Sequence, residues 1–172
     1  MMFEYELNLI KNEETRKITE GLLKGVPEYF WHVPASSSGK YHPMYALGEG
    51  GLVRHTKAAV RFAEHLFQIY DFDENEQGYI VAALLLHDTF KQGKEEGHTV
   101  HEHPVLAAEY VRKNAPKGYS RQVAPLIESH MGQWNKSEKS DVVLKKPHGK
   151  KRWFVHLCDY LASRRGVEVE LE

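Results

Sequence analysis

Residues 80–86 read IVAALLL, an unbroken apolar run, and the next five residues read HDTFK. A helix with no polar stripe must be surrounded by protein or by lipid. The run is far shorter than the roughly 20 residues a membrane span needs, so it is read as a buried core helix. A chain built around such an element needs other helices to cover it on every side. The end of the run then sets a chemical problem, because an imidazole, a carboxylate and an amine follow it with no change of position in the core.

The covering helices are visible as apolar periodicity. Leu52 to Tyr70 repeats apolar residues at helical spacing, and DFDENEQG connects it to a second helix over Glu74–Asp88, whose acidic start suits a helix N-terminus. Pro104 is placed to open a third helix running to about Lys113, and Ser120 to cap a fourth that carries Pro125 in its first turns and ends near Met131. A fifth spans about Trp153–Arg165, and Glu13–Leu23 has the same periodicity upstream. Between them, VPEYFWHVPASSSGKYHP reads as an ordered, irregular loop over the core. FEYELNL and GVEVELE alternate with period two and predict short terminal strands. The expected fold is therefore all-α, a bundle of about five to seven helices, with short terminal β-strands.

At 172 residues and 41% hydrophobic content the chain fits one domain with a sufficient core. A single cysteine, Cys158, leaves no internal disulfide, and no stretch near the start has the pattern of a signal peptide, so a cytoplasmic location is expected. The formal charge of −1 gives no global attraction for nucleic acid or for a membrane surface. The eleven histidines are the compositional anomaly.

Four ligand-type residues fall on or beside apolar helices: His55 in GGLVRHT, His87 and Asp88 in LLLHD, and Asp159 in VHLCDYL. Burying such groups without a partner costs several kcal/mol each, roughly, and a divalent cation removes that cost. Neighbouring residues on a helix point about 100° apart, so His87 and Asp88 can share an ion only if it lies against the side of the helix. The competing reading is core histidines and capping carboxylates.

These stretches, together with HEHPVLAAEYV and ESHMG, resemble the H…HD…H…H…D signature of HD-domain metal-dependent phosphohydrolases, from about Pro34 to Arg165. PASSSGKYHP leading into GGLVRHT is similar in motif to the HD domain of 3′–5′ exoribonucleases and of small stand-alone phage and prokaryotic HD proteins. The resemblance implies one HD domain over 1–172, with an N-terminal helical extension over 1–33, a core over 34–165 and a tail over 166–172. It makes His55, His87, Asp88 and Asp159 metal ligands and adds His103 and His130 from two-metal relatives. Ser129 precedes His130 where such relatives often carry paired histidines, so the second shell departs from the pattern of those relatives. The implied cofactor is one or two divalent transition-metal ions, Mn, Fe, Co, Ni or Zn, with Mg also admissible.

The implied activity is hydrolysis of a phosphodiester or phosphomonoester in a nucleotide or short single-stranded nucleic acid, with no membrane partner. Asp88 is expected to ligate the metal and orient the water proton, and Lys91, about one turn on, to neutralise phosphoryl oxygens. Ser37, Ser38, Lys40 and His42 form a donor-rich loop ahead of His55, and Arg164 lies beyond Asp159; all five are candidate substrate-binding residues. Lys136 to Arg152 carries seven basic residues against two acidic ones, with Trp134 and Trp153 at its edges, a pattern that could track a nucleic acid or be plain solvated surface. His32, His65, His98, His101, His148 and His156 are read as ordinary, with His101 as substitute for His103. Gly50 and Gly51 are read as packing residues. The alternative to an enzyme is a nucleotide-binding sensor with little or no turnover on the same fold, and a di-iron oxygenase ranks last.

Overall fold

The computed structural model describes residues 2–36, 39 and 42–167. Seven α-helices occur among them: α1 (Glu4–Asn8), α2 (Glu13–Leu23), α3 (Gly51–Leu66), α4 (Glu74–Leu86), α5 (His103–Asn114), α6 (Lys117–Glu128) and α7 (Lys150–Ala162). The described residues contain no β-strand beyond an isolated bridge between Ser137 and Ser140. No helix among them is long and apolar enough to cross a membrane.

α4 is the axis of the bundle. It packs against α1, α2, α3, α6 and α7, and every residue from Ile80 to Leu86 is buried. That explains why its sequence has no polar stripe. Its start is held by a capping box, in which Asp73 accepts from the Glu76 backbone N–H and the Glu76 carboxylate accepts from the Asp73 N–H. Outside this axis, α5 packs on α6 and α3 on α7.

Local chemistry explains where the helices differ from expectation. FEYELNL forms α1, not a strand, because Phe3, Leu7 and Ile10 also satisfy helical spacing and all three are buried in the core around α4. GVEVELE lies almost wholly outside the described residues. Ser120 does not cap α6: the helix starts after Pro116, and the Ser120 hydroxyl donates to the Lys117 carbonyl from inside the first turn. Pro125 accordingly sits well inside α6. α3 stops at Leu66, short of Tyr70, and α7 runs from Lys150 to Ala162.

Two glycines let α3 begin where it does. Gly50 takes a left-handed conformation, φ 68°, and a Cβ at Gly51 would stand 2.3 Å from the Ala46 carbonyl oxygen. That close approach seats the start of α3 against the preceding loop, two bonds of which run from Gly50 N–H to His32 O and from Leu52 N–H to Val33 O.

Candidate metal centre

The apolar run of α4 ends in a turn whose side chains satisfy the helix's own last carbonyls. His87 Nδ1–H donates to Leu84 O at 2.6 Å, and the Thr89 hydroxyl donates to Leu86 O at 2.8 Å. The same three-residue step recurs twice. His103 Nδ1–H donates to Val100 O at 2.7 Å, and His130 Nδ1–H to Ile127 O at 2.8 Å. Each bond fixes the tautomer, leaving Nε2 a bare lone pair, and each backbone anchor fixes where that lone pair points.

The three lone pairs converge on Asp88. His103 Nε2 lies 3.0 Å and His130 Nε2 3.6 Å from Asp88 Oδ1, while His87 Nε2 is 3.6 Å from Asp88 Oδ2. His55, from α3, brings Nε2 to 3.0 Å from Asp159 Oδ1 and 3.8 Å from Asp88 Oδ2. Asp159, from α7, is 3.5 Å from His87 Nε2. Five of the six residues are buried and Asp159 is partly so. All six sequence candidates are thus brought together from α3, the end of α4, the start of α5, the end of α6 and α7.

The donor set suits a cation. His103 Nε2 and His130 Nε2 face each other at 3.2 Å, two lone pairs that repel unless a positive charge lies between or beside them. His55 Nε2, His87 Nε2 and Asp88 Oδ1 are buried without a well-directed hydrogen bond, despite lying at ion-pair distance from neighbours. Two overlapping groups could each hold an ion: His55, His87 and Asp159, and His87, Asp88 and His130. Their mixed nitrogen and oxygen donors fit a divalent transition metal.

The electrostatics agree. Burial raises the Asp88 pKa, but the Lys91 ammonium and the surrounding imidazoles outweigh it and hold the carboxyl well below its ordinary range. Burial likewise opposes ionisation of Asp159, and the adjacent imidazoles of His55 and His87 override it, holding this carboxyl too well below its ordinary range. At His87 the desolvation that would lower the pKa is outweighed by the charges of Asp88 and Asp159, which raise it; the same two carboxylates make the pocket favourable to a bound cation.

Lys91 closes the cluster, its Nζ 2.5 Å from Asp88 Oδ2. The helix does not persist to it; a turn bond from Lys91 N–H to Asp88 O at 3.0 Å keeps it on the same side. His42 is half-buried beside the cluster, its ring centroid 5.9 Å from that of His55 and its Nδ1 without a partner. Burial first, then His55, pushes its pKa down to about 4, so the ring is neutral at pH 7. Ser37, Ser38 and Lys40 lie outside the described residues. Arg164 stacks its guanidinium over Tyr160, 4.6 Å from the ring centroid, and over Trp134 at 5.6 Å; no contact with the cluster is seen.

One participant was not visible in the sequence. His156 is buried, donates Nδ1–H to the His130 carbonyl at 2.7 Å, and meets Gln133 through Nε2 at 2.9 Å. It buttresses the backbone of His130, a role that attaches to no motif. The Lys136–Arg152 stretch is tied to the bundle: Lys145 pairs with Glu128 at 3.0 Å, Lys150 donates to the Asp71 carbonyl, and Lys151 pairs with Glu76 at 3.0 Å.

A buried His/Asp cluster at the centre of a helical bundle defines the class, and the comparison with known families makes it specific. Residues 52–164 match the HD domain family, and the chain belongs to that family. It is also similar to dihydroneopterin 2′,3′-cyclic phosphate phosphodiesterase of Methanocaldococcus jannaschii, with 30% identity over 178 residues, 90% of this chain and 65% of that protein. The chain thus spans about 65% of the length of the curated relative it matches. No solved structure matches the chain.

Proposed function

We propose that this chain is a metal-dependent phosphohydrolase acting on a phosphodiester of a small nucleotide-like molecule, cyclic phosphates included. The observation that carries the reading is Asp88: its two oxygens face the two ligand groups, and Lys91 lies against one of them. Membership of the HD domain family and the likeness to a cyclic phosphate phosphodiesterase support it.

His55, His87, Asp88 and Asp159 would hold one divalent ion, with His103 and His130 completing the ligands of a second. A bound ion supplies Lewis acidity, polarising a phosphoryl oxygen and making water easier to deprotonate. The chain's own groups do the rest. Asp88, kept ionised by its neighbours, orients a water molecule by accepting a hydrogen bond from it. The Lys91 ammonium neutralises charge that grows on the non-bridging oxygens, and removing such a group typically costs about 10²–10³ in rate. Neutral His42 can bond a substrate oxygen without repelling a cation beside it. The packed apolar run behind His87 and Asp88 keeps these groups from adjusting, which is the preorganisation that makes their dipoles effective.

Release of phosphate ester should be scored with Mn and with Ni on 2′,3′-cyclic nucleotides, 3′,5′-cyclic nucleotides, dinucleotides and phosphomonoesters. The expected result is metal-dependent turnover of diesters that Asp88→Ala abolishes. Wild-type rates in Asp88→Ala, or nucleotide binding with no turnover under any metal, would refute the reading.

A further inference from the structure

We propose that a pocket on the outer flank of α7, separate from the metal centre, binds a planar heteroaromatic ring of purine or pterin size. The pocket has a volume of about 440 Å³ and is lined by Tyr70, Gln133, Lys150, Trp153, His156 and Tyr160 among others. Pockets of roughly 300–1,000 Å³ with mostly apolar walls and a few converging polar groups are the usual form of small-molecule sites.

The walls are rings. Trp153 is 52% exposed, a high value for an indole with nothing bound to it. Its ring lies 5.7 Å from His156, and Tyr160 lies 6.2 Å from His156 on the other side. His156 therefore forms a floor between two aromatic walls set along one face of α7. Tyr160 is backed by Trp134 in a stacked pair, 5.6 Å between centroids and 16° between planes, and Arg164 caps both. Tyr70 is fixed edge-on against Phe154 at 4.8 Å. Tyr160 and Tyr70 are held by this packing, so a ligand ring laid on the exposed Trp153 meets other walls that lose little freedom on binding.

The polar groups suit a ring edge. With Nδ1–H of His156 committed to the His130 carbonyl, Nε2 2.9 Å from the Gln133 carboxamide accepts from its NH2, which leaves the amide oxygen and the second N–H for a heterocycle. An extended nucleic acid fits this pocket less well, because Lys150, the lysine in its lining, donates to the Asp71 carbonyl and is not free to hold a phosphate. The occupant is one ring system, bound by stacking and edge hydrogen bonds.

The inference does not depend on turnover, so it can be tested apart from the proposed activity. Equilibrium dialysis of the full chain with guanosine 5′-monophosphate and with ribose 5-phosphate separates ring binding from phosphate binding. Both are measured in Asp88→Ala and in chelator-treated wild type, which guards against misfolding of the variant. The nucleotide should bind in both backgrounds, with ribose 5-phosphate at least about tenfold weaker. Trp153→Leu and Gln133→Ala, both at the surface, should each weaken the nucleotide by about tenfold. Unchanged nucleotide affinity in Trp153→Leu would overturn the site, as would equal binding of ribose 5-phosphate. Much tighter, steeply salt-dependent binding of an oligoribonucleotide would overturn the single-ring occupant in favour of a strand.

Discussion

Gly132→Ala tests how firmly the metal centre depends on His156. Gly132 sits at φ 60°, where an alanine costs about 1–2 kcal/mol. Its new Cβ would stand 2.2–2.5 Å from three atoms of the His156 ring, a clash that a shift of a few tenths of an ångström cannot relieve. The ring must leave, breaking its bond to the His130 carbonyl. A buried carbonyl left without a donor adds about 1–3 kcal/mol, for a total of about 2–5 kcal/mol. For a chain of this size that lowers the Tm by about 4–20 °C. Urea unfolding of the four proteins of a cycle with His156→Ala gives the coupling directly. Once the ring is gone only the backbone strain remains, so Gly132→Ala should cost about 1–2 kcal/mol in that background, a coupling of about 1–3 kcal/mol. Mn affinity, read by calorimetry, should fall by about 10–100-fold in Gly132→Ala as His130 loses its support. Equal costs in both backgrounds, or a cost below about 1 kcal/mol in the wild type, would refute the clash. Unchanged Mn affinity alongside lost stability would refute the buttress.

Metal binding to the native cluster should stabilise the fold: Mn or Ni at 100 times its dissociation constant should raise unfolding free energy by about 2.7 kcal/mol, visible as a higher Tm that chelator reverses and Asp88→Ala abolishes. Lys91→Met should reduce diester turnover by about 10²–10³ while leaving the metal-induced Tm rise in place; loss of that rise would reassign Lys91 to holding Asp88. Tyr119 contributes one part of the alkaline pH dependence, beside the phenols of Tyr29 and Tyr45, which burial also raises. Thr19 Oγ1 donates to Thr15 O at 2.7 Å, so it accepts from the Tyr119 hydroxyl at 2.9 Å, and burial pushes the phenol well above its ordinary range. The raised folded pKa means this contribution is complete below about pH 10 and is lost as pH rises further, at up to about 1.4 kcal/mol per pH unit. Tyr119→Phe should reduce the slope of the stability profile above pH 10 in urea titrations, and an unchanged slope would count against the assignment. Leu84→Ala, in the fully buried part of α4, should cost about 2–5 kcal/mol in the same assay.

What the sequence disclosed follows from how each signal is written. α2 could be read to its boundaries from periodicity alone, its apolar residues repeating over three turns, and the structure adds the Asn12 side chain accepting from Thr15 N–H at its start. α1 could not, since over five residues the periods of helix and strand share too many positions; only docking of Phe3 and Leu7 in the core around α4 decides between them. The start of α6 was misplaced because Pro116 and Lys117 open a helix as readily as Ser120 caps one. The metal-centre candidates were legible because each must present a particular side-chain atom, so the residue type itself carries the information.

His156 shows where that logic stops. Its partner in the cluster is the carbonyl of His130, and every residue owns a carbonyl, so no residue type at the other end of the bond announces it. The same holds for the acceptors at Leu84, Val100 and Ile127, which fix the tautomers of His87, His103 and His130. The chemistry at Nε2 is thus chosen by side chains, and the orientation of Nε2 by backbone geometry at helix ends. A substitution that keeps all six candidate ligands but shifts one of those helix ends by a fraction of an ångström would leave the motif intact and the lone pairs misdirected. Gly132→Ala is such a substitution, which is why metal affinity and not motif retention is its decisive measurement.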